Sequence, residues 1–373
     1  MTNLLMTAKR YKVLHLITGM EVGGAEKMLL RIVPRMEGAF ENRVCVIKDR
    51  GQLGPELERT GIPVVYLDLK SPFNLQPILR FRRLAAEFKP DILVTYLIHA
   101  DLFGRICGRA FGIKRIVCYQ RGSLLNWEFL RTFDRLTKPL VTKYIVQTET
   151  AKEELKAALK ISGEMIAVIG NAIDTTAFDL DKAAKMKELG INPNNKTIVC
   201  VGNLREGKGH EYLLDAFEEV FSKRFSGINL LIVGGGQKEK QLVEQIKLYT
   251  SKANIHFLGS RDDVHEILKI SDLFVLPTLY EGMSNAVMEA MASKVAIITT
   301  DIPVNAELAG DTAVLVPVKN SAKLAEAMEM LLSENSLRNE LAQRAYNKIT
   351  SQYSLDIVVQ KYTTLLKDII NAK

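Results

Sequence analysis

The chain has 373 residues, of which 47% are hydrophobic and 25% charged, and its formal net charge is +7. This composition is typical of a globular protein that is long enough for two domains with full cores. No run of about 18 apolar residues predicts a membrane span, no signal peptide is recognisable at the amino terminus, and the four cysteines are scattered without a close pair. We therefore predict a cytoplasmic protein with reduced thiols rather than a secreted, disulfide-linked one.

Apolar runs and helical patterns alternate along the chain in two successive series. The first series contains the strand candidates KVLHLIT, RVCVIK, PVVYLDL, DILVTY, RIVCYQ and KYIVQT, and a strand that runs into a loop follows in AVIGNAIDTTAF. The second series contains TIVCVG, NLLIVGG, NIHFLG, DLFVLP, VAIITT and AVLVP. An order of strand and then helix predicts parallel strands with helices on both faces of each sheet.

Each series predicts one doubly wound, Rossmann-like α/β domain. We place the first domain at residues 1–172 and the second at residues 173–353. A last helical pattern, residues 354–373, follows two other helices without a further strand. Ligands of such sheets bind beyond the carboxyl ends of the strands, so polar residues directly after strands are the candidates for a functional site.

Positive charge is concentrated in the first half of the chain. Residues 1–172 contain 27 Lys and Arg against 17 Asp and Glu, whereas the remainder contains 23 against 26. A basic half indicates an anionic partner, such as nucleic acid, a phospholipid surface or a phosphorylated substrate, with an ordinary solvated surface as the alternative. We predict no nucleic acid partner, because the sequence contains no recognition module for one.

Two cations follow the first strand of the second series. Arg205 and Lys208 are three residues apart in NLREGKGHEYLLDAF, in a predicted loop between a strand and a helix. Cations in such a loop can hold a diphosphate through charge-assisted hydrogen bonds, and a solvated loop is the alternative. The next strand ends in three glycines, residues 234–236, which permit a ligand to approach the backbone closely.

Two glutamates stand around a third predicted helix start. The stretch PTLYEGMSNAVMEAMASK begins at the end of the strand DLFVLP and contains Glu281 and Glu289 with seven residues between them. Free backbone amides from Gly282 to Asn285 suit a phosphate, and carboxylates accept hydrogen bonds from the hydroxyls of ribose or of a sugar. Acids favoured by the helix dipole are the alternative. Because all these features follow strands of one domain, we interpret them together as a phosphate, ribose and sugar site.

These motifs resemble the carboxyl-terminal half of family 4 glycosyltransferases of the GT-B fold. The resemblance is carried by VGNLREGKGHEYLLDAF, LLIVGGGQ, IHFLGSRDDVHEIL and SDLFVLPTLYEGMSNAVMEAMAS, while IGNAIDTTAF is similar to the interdomain stretch and GMEVGGAEKML to the first glycine loop. It implies two Rossmann-like domains facing a cleft, with the last helix crossing back to the first domain. It also implies a retaining transfer of a hexosyl or N-acetylhexosaminyl group from a nucleotide diphosphate sugar.

The resemblance further implies a role for each site residue. Arg205 and Lys208 would bind the diphosphate, Glu289 the ribose, and Glu281 the donor sugar or its phosphate. We predict a UDP-sugar as the donor, with a GDP-sugar as the second choice, and no cofactor besides this substrate. The donor-binding residues that we predict are Gly23, Gly24, Gly202, Arg205, Lys208, Gly235, Gly282, Met283, Ser284, Asn285 and Glu289.

Transfer creates negative charge on the departing nucleotide diphosphate, and the enzyme must stabilise that charge. The sequence has no D-x-D motif and its five histidines are dispersed. We therefore predict no metal site, and we assign the stabilisation of the leaving group to Arg205 and Lys208. With Glu281 and His99, these are the predicted catalytic residues.

The acceptor side departs from the pattern of the family. Many relatives have a histidine after the fifth strand of the first domain, where VCYQRGS offers Gln120 and Arg121 instead. A histidine, His99, occurs one strand earlier in LIHADLFGR. We predict that His99 and Arg121 bind the acceptor, with helix capping as the alternative role of His99.

We predict a glycan or lipid-linked acceptor in bacterial cell-surface polysaccharide synthesis. The stretch LLNWEFLRTFDRLTKPLVTKY, with Trp127, Arg131, Arg135 and Lys138, is a candidate amphipathic helix for peripheral contact with an anionic membrane at the inner face of the cell membrane. A core helix is the alternative. Rival functions are a non-catalytic nucleotide-sugar-binding subunit, a transferase with a soluble sugar or sugar-phosphate acceptor, and a nicotinamide-dependent oxidoreductase, which the missing G-x-G-x-x-G motif disfavours.

Overall fold

The computed structural model describes residues 10–71, 74–120, 128–176 and 180–372. The chain forms two compact units, each built around a parallel β-sheet. Unit 1 comprises Met1–Ala172 and Leu355–Lys373, and unit 2 comprises Ile173–Ser354.

The sheet of unit 1 has seven parallel strands in the order β3-β2-β1-β4-β5-β6-β7. These strands are β1 (Tyr11–Ile17), β2 (Phe40–Val46), β3 (Val64–Tyr66), β4 (Ile92–Tyr96), β5 (Ile116–Tyr119), β6 (Lys143–Val146) and β7 (Ile166–Val168). The central strands are rich in Val, Ile and Leu and are buried along almost their whole length, as a parallel sheet covered on both faces requires.

Helices cover both faces of this sheet. They are α1 (Gly24–Ile32), α2 (Gly54–Arg59), α3 (Gln76–Phe88), α4 (Ile98–Ala110), α5 (Glu128–Thr137) and α6 (Glu149–Leu159). Alternate residues of β1 point to opposite faces of the sheet. Val13 and Ile17 therefore lie in one apolar cluster with residues of α1, whereas Leu14 and Leu16 lie in a second cluster with residues of α3 and α6.

The sheet of unit 2 has six parallel strands in the order β10-β9-β8-β11-β12-β13. These strands are β8 (Lys196–Val201), β9 (Ile228–Val233), β10 (Ile255–Gly259), β11 (Leu273–Leu276), β12 (Ala296–Thr300) and β13 (Val314–Val316). The helices are α7 (Lys182–Glu188), α8 (His210–Lys223), α9 (Glu239–Gln245), α10 (Val264–Ile270), α11 (Asn285–Ala292), α12 (Pro303–Ala309), α13 (Ser321–Ser333) and α14 (Asn335–Tyr353).

The last helix, α15 (Leu355–Asn371), returns to unit 1. Its residues Val358, Tyr362 and Leu366 recur at a spacing of four and are buried in the unit 1 core. The ring of Tyr362 meets the ring of Tyr119 edge to face, with centroids 6.1 Å apart. The predicted fold class is confirmed: the chain has two doubly wound domains and a carboxyl-terminal helix that packs on the first.

Both sheets reverse their winding at one point, between β1 and β4 in unit 1 and between β8 and β11 in unit 2. Loops that leave neighbouring strands at such a switch point diverge to opposite faces of the sheet and leave a crevice for a ligand. The loops after these four strands are therefore where a site is expected, and they contain most of the candidates from the sequence.

Candidate active site

Two charged side chains meet at the switch point of unit 2. Nζ of Lys208, in the loop after β8, forms a salt bridge with Oε1 of Glu281, in the loop after β11. The two side chains keep only 13% and 11% of their surface exposed, so most of their hydration is lost and their attraction is stronger than that of a surface pair. The sequence assigned these residues to different parts of the donor, whereas the structure places them in one ion pair.

The backbone of the two loops holds this pair in place. The amide of Leu279 donates to the carbonyl oxygen of Gly207 at 2.8 Å, which ties the loop after β11 to the loop after β8. Gly209 has a φ of +72°, and a Cβ atom at this position would lie 2.0 Å from the carbonyl oxygen of Pro277. Only glycine allows this approach, because a side chain would be strained in conformation and would also clash.

The helix start between the two glutamates is capped as an ordinary α-helix. Ser284 is the N-cap residue of α11, and its hydroxyl accepts a hydrogen bond from the amide of Val287. Glu281 precedes the helix and Glu289 is its fifth residue, so neither lies in the first turn and the helix dipole does not account for them. Gly282, Asn285 and Glu289 are half-buried, whereas Met283 and Ser284 are buried.

The loops after β8 and β9 complete this side of the unit. Arg205 is exposed in the same loop as Lys208. Gly202 and Gly235 are half-buried at the ends of their strands, and the Gly235 carbonyl accepts a hydrogen bond from the amide of Leu204 at 3.0 Å. The loop after β9 is therefore bound to the loop that carries both predicted diphosphate ligands.

Sequence reasoning missed two titratable residues in these loops. Lys238 is buried directly after the glycine turn and pairs with Glu206 at 3.1 Å and with Glu211 at 3.4 Å. His210 is buried at the first position of α8, and its Nε2 atom has no hydrogen-bond partner. Burial, together with the neighbouring cations Lys208 and Lys238, lowers the pKa of His210 to about 4, so the imidazole is neutral near pH 7. The signal for His210 was its place one residue after the loop GKG.

In unit 1, the glycine loop after β1 is joined to α4. The Thr18 hydroxyl accepts a hydrogen bond from the amide of Ala100 at 3.3 Å and so caps α4 from the end of β1. Gly23 is the N-cap position of α1 and Gly24 its first residue. A Cβ atom at Gly23 would lie 2.3 Å from Oε2 of Glu26, which is the movable end of a side chain, and the backbone of Gly23 is extended, so this position does not require glycine.

His99 lies at the other side of this switch point. It is the second residue of α4 and is exposed. The N-cap residue of α4 is Leu97, and its side chain makes no capping hydrogen bond. Since His99 does not occupy the cap position, the capping alternative for His99 is wrong. Leu97 has a φ of +73° and a ψ of 151°, a region that residues other than glycine rarely enter. This strained residue sets the direction in which α4 leaves β4.

Behind His99, α4 carries a buried charge cluster that the sequence reasoning missed. Asp101 accepts hydrogen bonds from Thr95 at 2.5 Å and from Gln120 at 2.7 Å. Arg105 lies 4.0 Å from Asp101 and forms a salt bridge with Asp134 of α5. Burial raises the pKa of Asp101 to about 7, opposed by the charge of Arg105. An acid and an arginine four residues apart on one predicted helix were the available signal.

Arg121, a predicted acceptor ligand, lies outside the described residues, as does Trp127. Its neighbour Gln120 is described and is held by Asp101 through the hydrogen bond given above. Among the residues that the structure describes, no group of three or more His, Cys, Asp or Glu side chains is placed to hold a metal ion. Within the same residues, no helix has the length and apolarity to cross a bilayer.

Comparison with known proteins identifies the class. Glycosyltransferase Family 4 matches residues 22–177, and Glycosyl transferases group 1 matches residues 181–348. The capsular polysaccharide biosynthesis glycosyltransferase CapM of Staphylococcus aureus is 24% identical over 96% of this chain and 99% of its own. The UDP-Gal:α-D-GlcNAc-diphosphoundecaprenol α-1,3-galactosyltransferase of Escherichia coli is 24% identical over 88% of this chain and 89% of its own.

Solved structures agree with the sequence relatives. HepE of Anabaena, in complex with UDP-glucose, superposes with a TM-score of 0.83 at 20% identity and covers 96% of this chain and 99% of that chain. The fold is therefore that of the GT-B glycosyltransferases. Since the two family matches together span most of both units, the chain belongs to family 4 of these enzymes.

Proposed function

We propose that the protein is a retaining glycosyltransferase that moves a sugar from a nucleotide diphosphate sugar to a glycan or lipid-linked acceptor in bacterial cell-surface polysaccharide synthesis. The observation that carries this proposal is the Lys208–Glu281 pair at the switch point of unit 2. A largely desolvated cation beside a carboxylate suits a ligand in which phosphate oxygens lie next to sugar hydroxyls. The names of the two relatives support the polysaccharide setting.

The donor uses this pair without breaking it. An ammonium group has three N–H donors, so Lys208 can bind a phosphate oxygen while it still holds Glu281. Glu281 in turn has a second oxygen that can accept a hydrogen bond from a sugar hydroxyl. Arg205, exposed in the same loop, binds the diphosphate from the solvent side, and Glu289 accepts hydrogen bonds from the ribose hydroxyls.

Charge on the leaving group sets the role of the two cations. The bond between the anomeric carbon and the phosphate oxygen breaks, and the acceptor oxygen bonds to the anomeric carbon on the same face. The acceptor's proton passes to the departing phosphate, so no separate base is required. Arg205 and Lys208 stabilise the negative charge that develops on the diphosphate, which is the largest contribution that preorganised groups make in such reactions.

The identity of the base and of the sugar in the donor is also part of this proposal. We favour a UDP-sugar over a GDP-sugar, and the UDP-glucose complex of HepE and the UDP-galactose in the name of the Escherichia coli relative support this choice. The acceptor in that name is a sugar on a lipid diphosphate. A lipid-linked acceptor of this type would place the enzyme at the inner face of the cell membrane, with His99 and Arg121 on the acceptor side.

A panel of UDP- and GDP-sugars tests the proposal directly. Thermal shift should identify one nucleotide sugar that stabilises the protein, and incubation of that donor with a short-chain lipid-diphosphate sugar should yield a product with the donor's anomeric configuration. An inverted product would overturn the retaining mechanism. Binding of a donor without hydrolysis or transfer to any acceptor would favour a non-catalytic subunit, and transfer only to a soluble sugar phosphate would replace the lipid-linked acceptor.

Metal independence has its own test. Because Arg205 and Lys208 are assigned to the leaving group, we expect transfer to continue in excess chelator. Complete loss of activity in chelator, with recovery on addition of magnesium or manganese, would contradict this assignment.

A further inference from the structure

A polar cavity opens at the edge of the unit 2 sheet opposite to the candidate active site. It lies where β11 and β12 begin, and α7, α10, α11 and α14 also border it. Its volume is about 470 Å³, which is typical of pockets that bind small ligands. We call it the strand-start cavity, and the charged side chains that line it are Lys182, Lys269, Asp272, Lys294 and Arg338.

The charges of this cavity are unbalanced. Among the described lining residues, four cations face one acid. That acid, Asp272, is already engaged, because its Oδ2 atom accepts a hydrogen bond from the amide of Thr197 at 2.8 Å and its Oδ1 atom lies 3.8 Å from Nη2 of Arg338. The ammonium group of Lys294 lies 4.3 Å from the centroid of the Tyr346 ring. This contact holds the group in position and leaves its N–H donors available to a ligand.

A fifth cation beside the cavity shows the same excess of positive charge. Lys196, the first residue of β8, donates from Nζ to the carbonyl oxygen of Leu332 at 2.5 Å. Burial and the charge of Arg338 lower the pKa of Lys196 below its ordinary value, and the charge of Asp272 opposes them only in part. Positive charges at this edge of the sheet therefore repel one another, and a bound anion would relieve that repulsion.

Helix dipoles account for only half of these cations. Lys269 and Lys294 stand at the carboxyl ends of α10 and α11, where a cation stabilises the helix. Lys182 is the first residue of α7 and Arg338 is the fourth residue of α14, and the dipole disfavours a cation near such amino-terminal ends. Nη1 of Arg338 donates to the carbonyl oxygen of Leu331 at 2.9 Å, which leaves other N–H donors of this guanidinium for a ligand. Helix stability alone therefore does not explain why all four line one cavity.

The strand-start cavity is separate from the donor loops, although α11 borders both. Ser284, which follows Glu281 in the loop after β11, caps the start of this helix, and Ser293 at its carboxyl end lines the cavity. The eight helical residues between these two serines span about 12 Å. A small ligand in the cavity therefore does not touch the Lys208–Glu281 pair.

We propose that the strand-start cavity is a second ligand site of unit 2 and binds the diphosphate group of a small molecule. A diphosphate carries several negative charges on closely spaced oxygens, and four converging cations can each give it charge-assisted hydrogen bonds. The source of the diphosphate is either the free inorganic anion or a nucleoside diphosphate. The proposal does not rest on the proposed function, because it uses none of the residues assigned to the donor.

Acetylation of lysine side chains in the full-length protein, read by mass spectrometry, tests the site directly. Lys182 and Lys294 are exposed, so they should react in the free protein. Inorganic diphosphate should protect both, whereas Lys252 and Lys319, which are exposed elsewhere in unit 2, should react as before. Protection by UDP as well would assign the site to nucleoside diphosphates, and protection by inorganic diphosphate alone would assign it to the free anion.

Variants of the two exposed lysines measure what these cations contribute to affinity. Lys182→Gln/Lys294→Gly removes two charges, and glycine suits the left-handed backbone of residue 294, where φ is +56°. In a Lys208→Ala background, which weakens binding by the donor loops, this change should lower the affinity for inorganic diphosphate about tenfold in titration calorimetry. The matched control is Lys252→Gln/Lys319→Gly, since residue 319 is also left-handed with a φ of +57°, and it should bind like its background.

Three results would overturn the proposal: no protection of Lys182 and Lys294 by either anion, equal protection by sodium chloride at the same ionic strength, or unchanged affinity in Lys182→Gln/Lys294→Gly. Sugar transfer separates this proposal from the proposed function. In the parental background, Lys182→Gln/Lys294→Gly should keep parental turnover, because it alters no donor contact. Protection by diphosphate in a protein that transfers no sugar would remove the transferase mechanism and keep this site.

Discussion

Both units wind a parallel sheet in the same order about a switch point, yet they place their charged side chains differently. In unit 2, Lys208 and Glu281 stand in strand-end loops and remain partly exposed. In unit 1, Arg105, Asp101 and Asp134 lie on helices behind the sheet and are at most 2% exposed. A charged group that water still reaches can add a ligand to its partners, whereas a fully buried cluster can serve only the packing and orientation of the elements that carry it.

The same fold carries different chemical groups in the strand-end loops of the two units. The strand-end loops of unit 2 present charges to a charged donor. In unit 1 the glycine loop and the start of α4 present backbone and the single exposed imidazole of His99, while the cluster beneath them connects β4, α4 and α5. We therefore expect the buried charges of unit 1 to affect stability and the partly exposed charges in the strand-end loops of unit 2 to affect catalysis.

The largest expected effect is on the buried cluster. Asp134→Ala should lower the free energy of unfolding by about 3–5 kcal/mol, because it leaves the guanidinium of Arg105 buried without its salt-bridge partner. Urea denaturation followed by the fluorescence of Trp127, the only tryptophan of the chain, measures the change. Replacing both partners, as Arg105→Met/Asp134→Leu, should cost much less, since no charge is then left unpaired.

The control for this prediction is an exposed pair in unit 2. Lys323 and Glu326 form a salt bridge of 2.6 Å at the surface of α13, and Lys323→Ala should change the free energy of unfolding by less than about 1 kcal/mol. If Asp134→Ala costs no more than Lys323→Ala, the cluster does not stabilise unit 1 as we infer.

The partly exposed charges in the strand-end loops of unit 2 should instead affect catalysis. Lys208→Ala and Glu289→Ala each remove a donor contact and should cost about 2–4 kcal/mol of transition-state stabilisation, or roughly 30- to 1000-fold in rate. Because Lys208 and Glu281 form one pair, the double variant Lys208→Ala/Glu281→Ala should lose less than the sum of the single losses. Steady-state transfer assays on variants with unchanged circular dichroism measure this.

Lys252→Ala, an exposed cation of the same unit, is the control for the rate measurement and should leave transfer unchanged. Near-parental turnover in both Lys208→Ala and Glu289→Ala would show that the site lies elsewhere. Additive losses in the double variant would show that the salt bridge has no part in donor binding.

The pH dependence of stability should also distinguish the units. Burial and nearby lysines lower the pKa of His210 to about 4, below its ordinary value of 6.5, so the unfolded chain takes up a proton first as the pH falls. This costs unit 2 about 2 kcal/mol between pH 7 and pH 5. In unit 1, burial lowers the pKa of His15 to about 4 but raises that of Asp101 to about 7, and these shifts act in opposite directions.

We therefore expect unit 2 to lose more stability than unit 1 over this range. Pulsed hydrogen exchange after equilibration in urea at each pH, with peptides resolved by mass spectrometry, reads the two units separately. The variant His210→Leu removes the titrating imidazole and should therefore remove most of the loss in unit 2. It breaks no hydrogen bond of Nε2, because that atom has no partner. A variant that keeps the full pH dependence would show that another group titrates.

The fold was predictable because its signals are local. Each strand of the two series is a short run rich in Val, Ile and Leu between turn residues. Helices alternate with these strands, as α7, α8 and α9 alternate with β8 and β9. The strand order and the return of α15 were not in any local pattern. The strand order was not predicted, and the return of α15 followed only from the resemblance to a family, because the spacing of Val358, Tyr362 and Leu366 shows only that one face of that helix is buried.

The candidate site was only partly predictable, for a physical reason. Arg205, Lys208, Glu281 and Glu289 follow strands and could be found by position. That Lys208 binds Glu281 could not be found, because the two residues are 73 positions apart and meet only through the strand order. The buried cluster of α4 was missed because Asp134 belongs to a stretch that the sequence left open as a membrane-contact helix or a core helix, and no local pattern pairs Asp134 with Arg105.

The smallest expected effect concerns Lys138, for which sequence and structure give different roles. The sequence placed Lys138 in a candidate membrane-contact helix, with a core helix as the alternative, and its Nζ atom donates to carbonyl oxygens at the end of α6, at 2.8 Å to Leu159 and 3.5 Å to Lys160. A cation at the end of a helix stabilises the unpaired carbonyls and the dipole. Lys138→Met should therefore lower the free energy of unfolding by about 0.5–1.5 kcal/mol, measured by urea denaturation, and should change vesicle binding less than twofold. If Lys138→Met leaves stability intact and weakens binding to anionic vesicles, the lysine meets lipid and the contact with α6 is secondary.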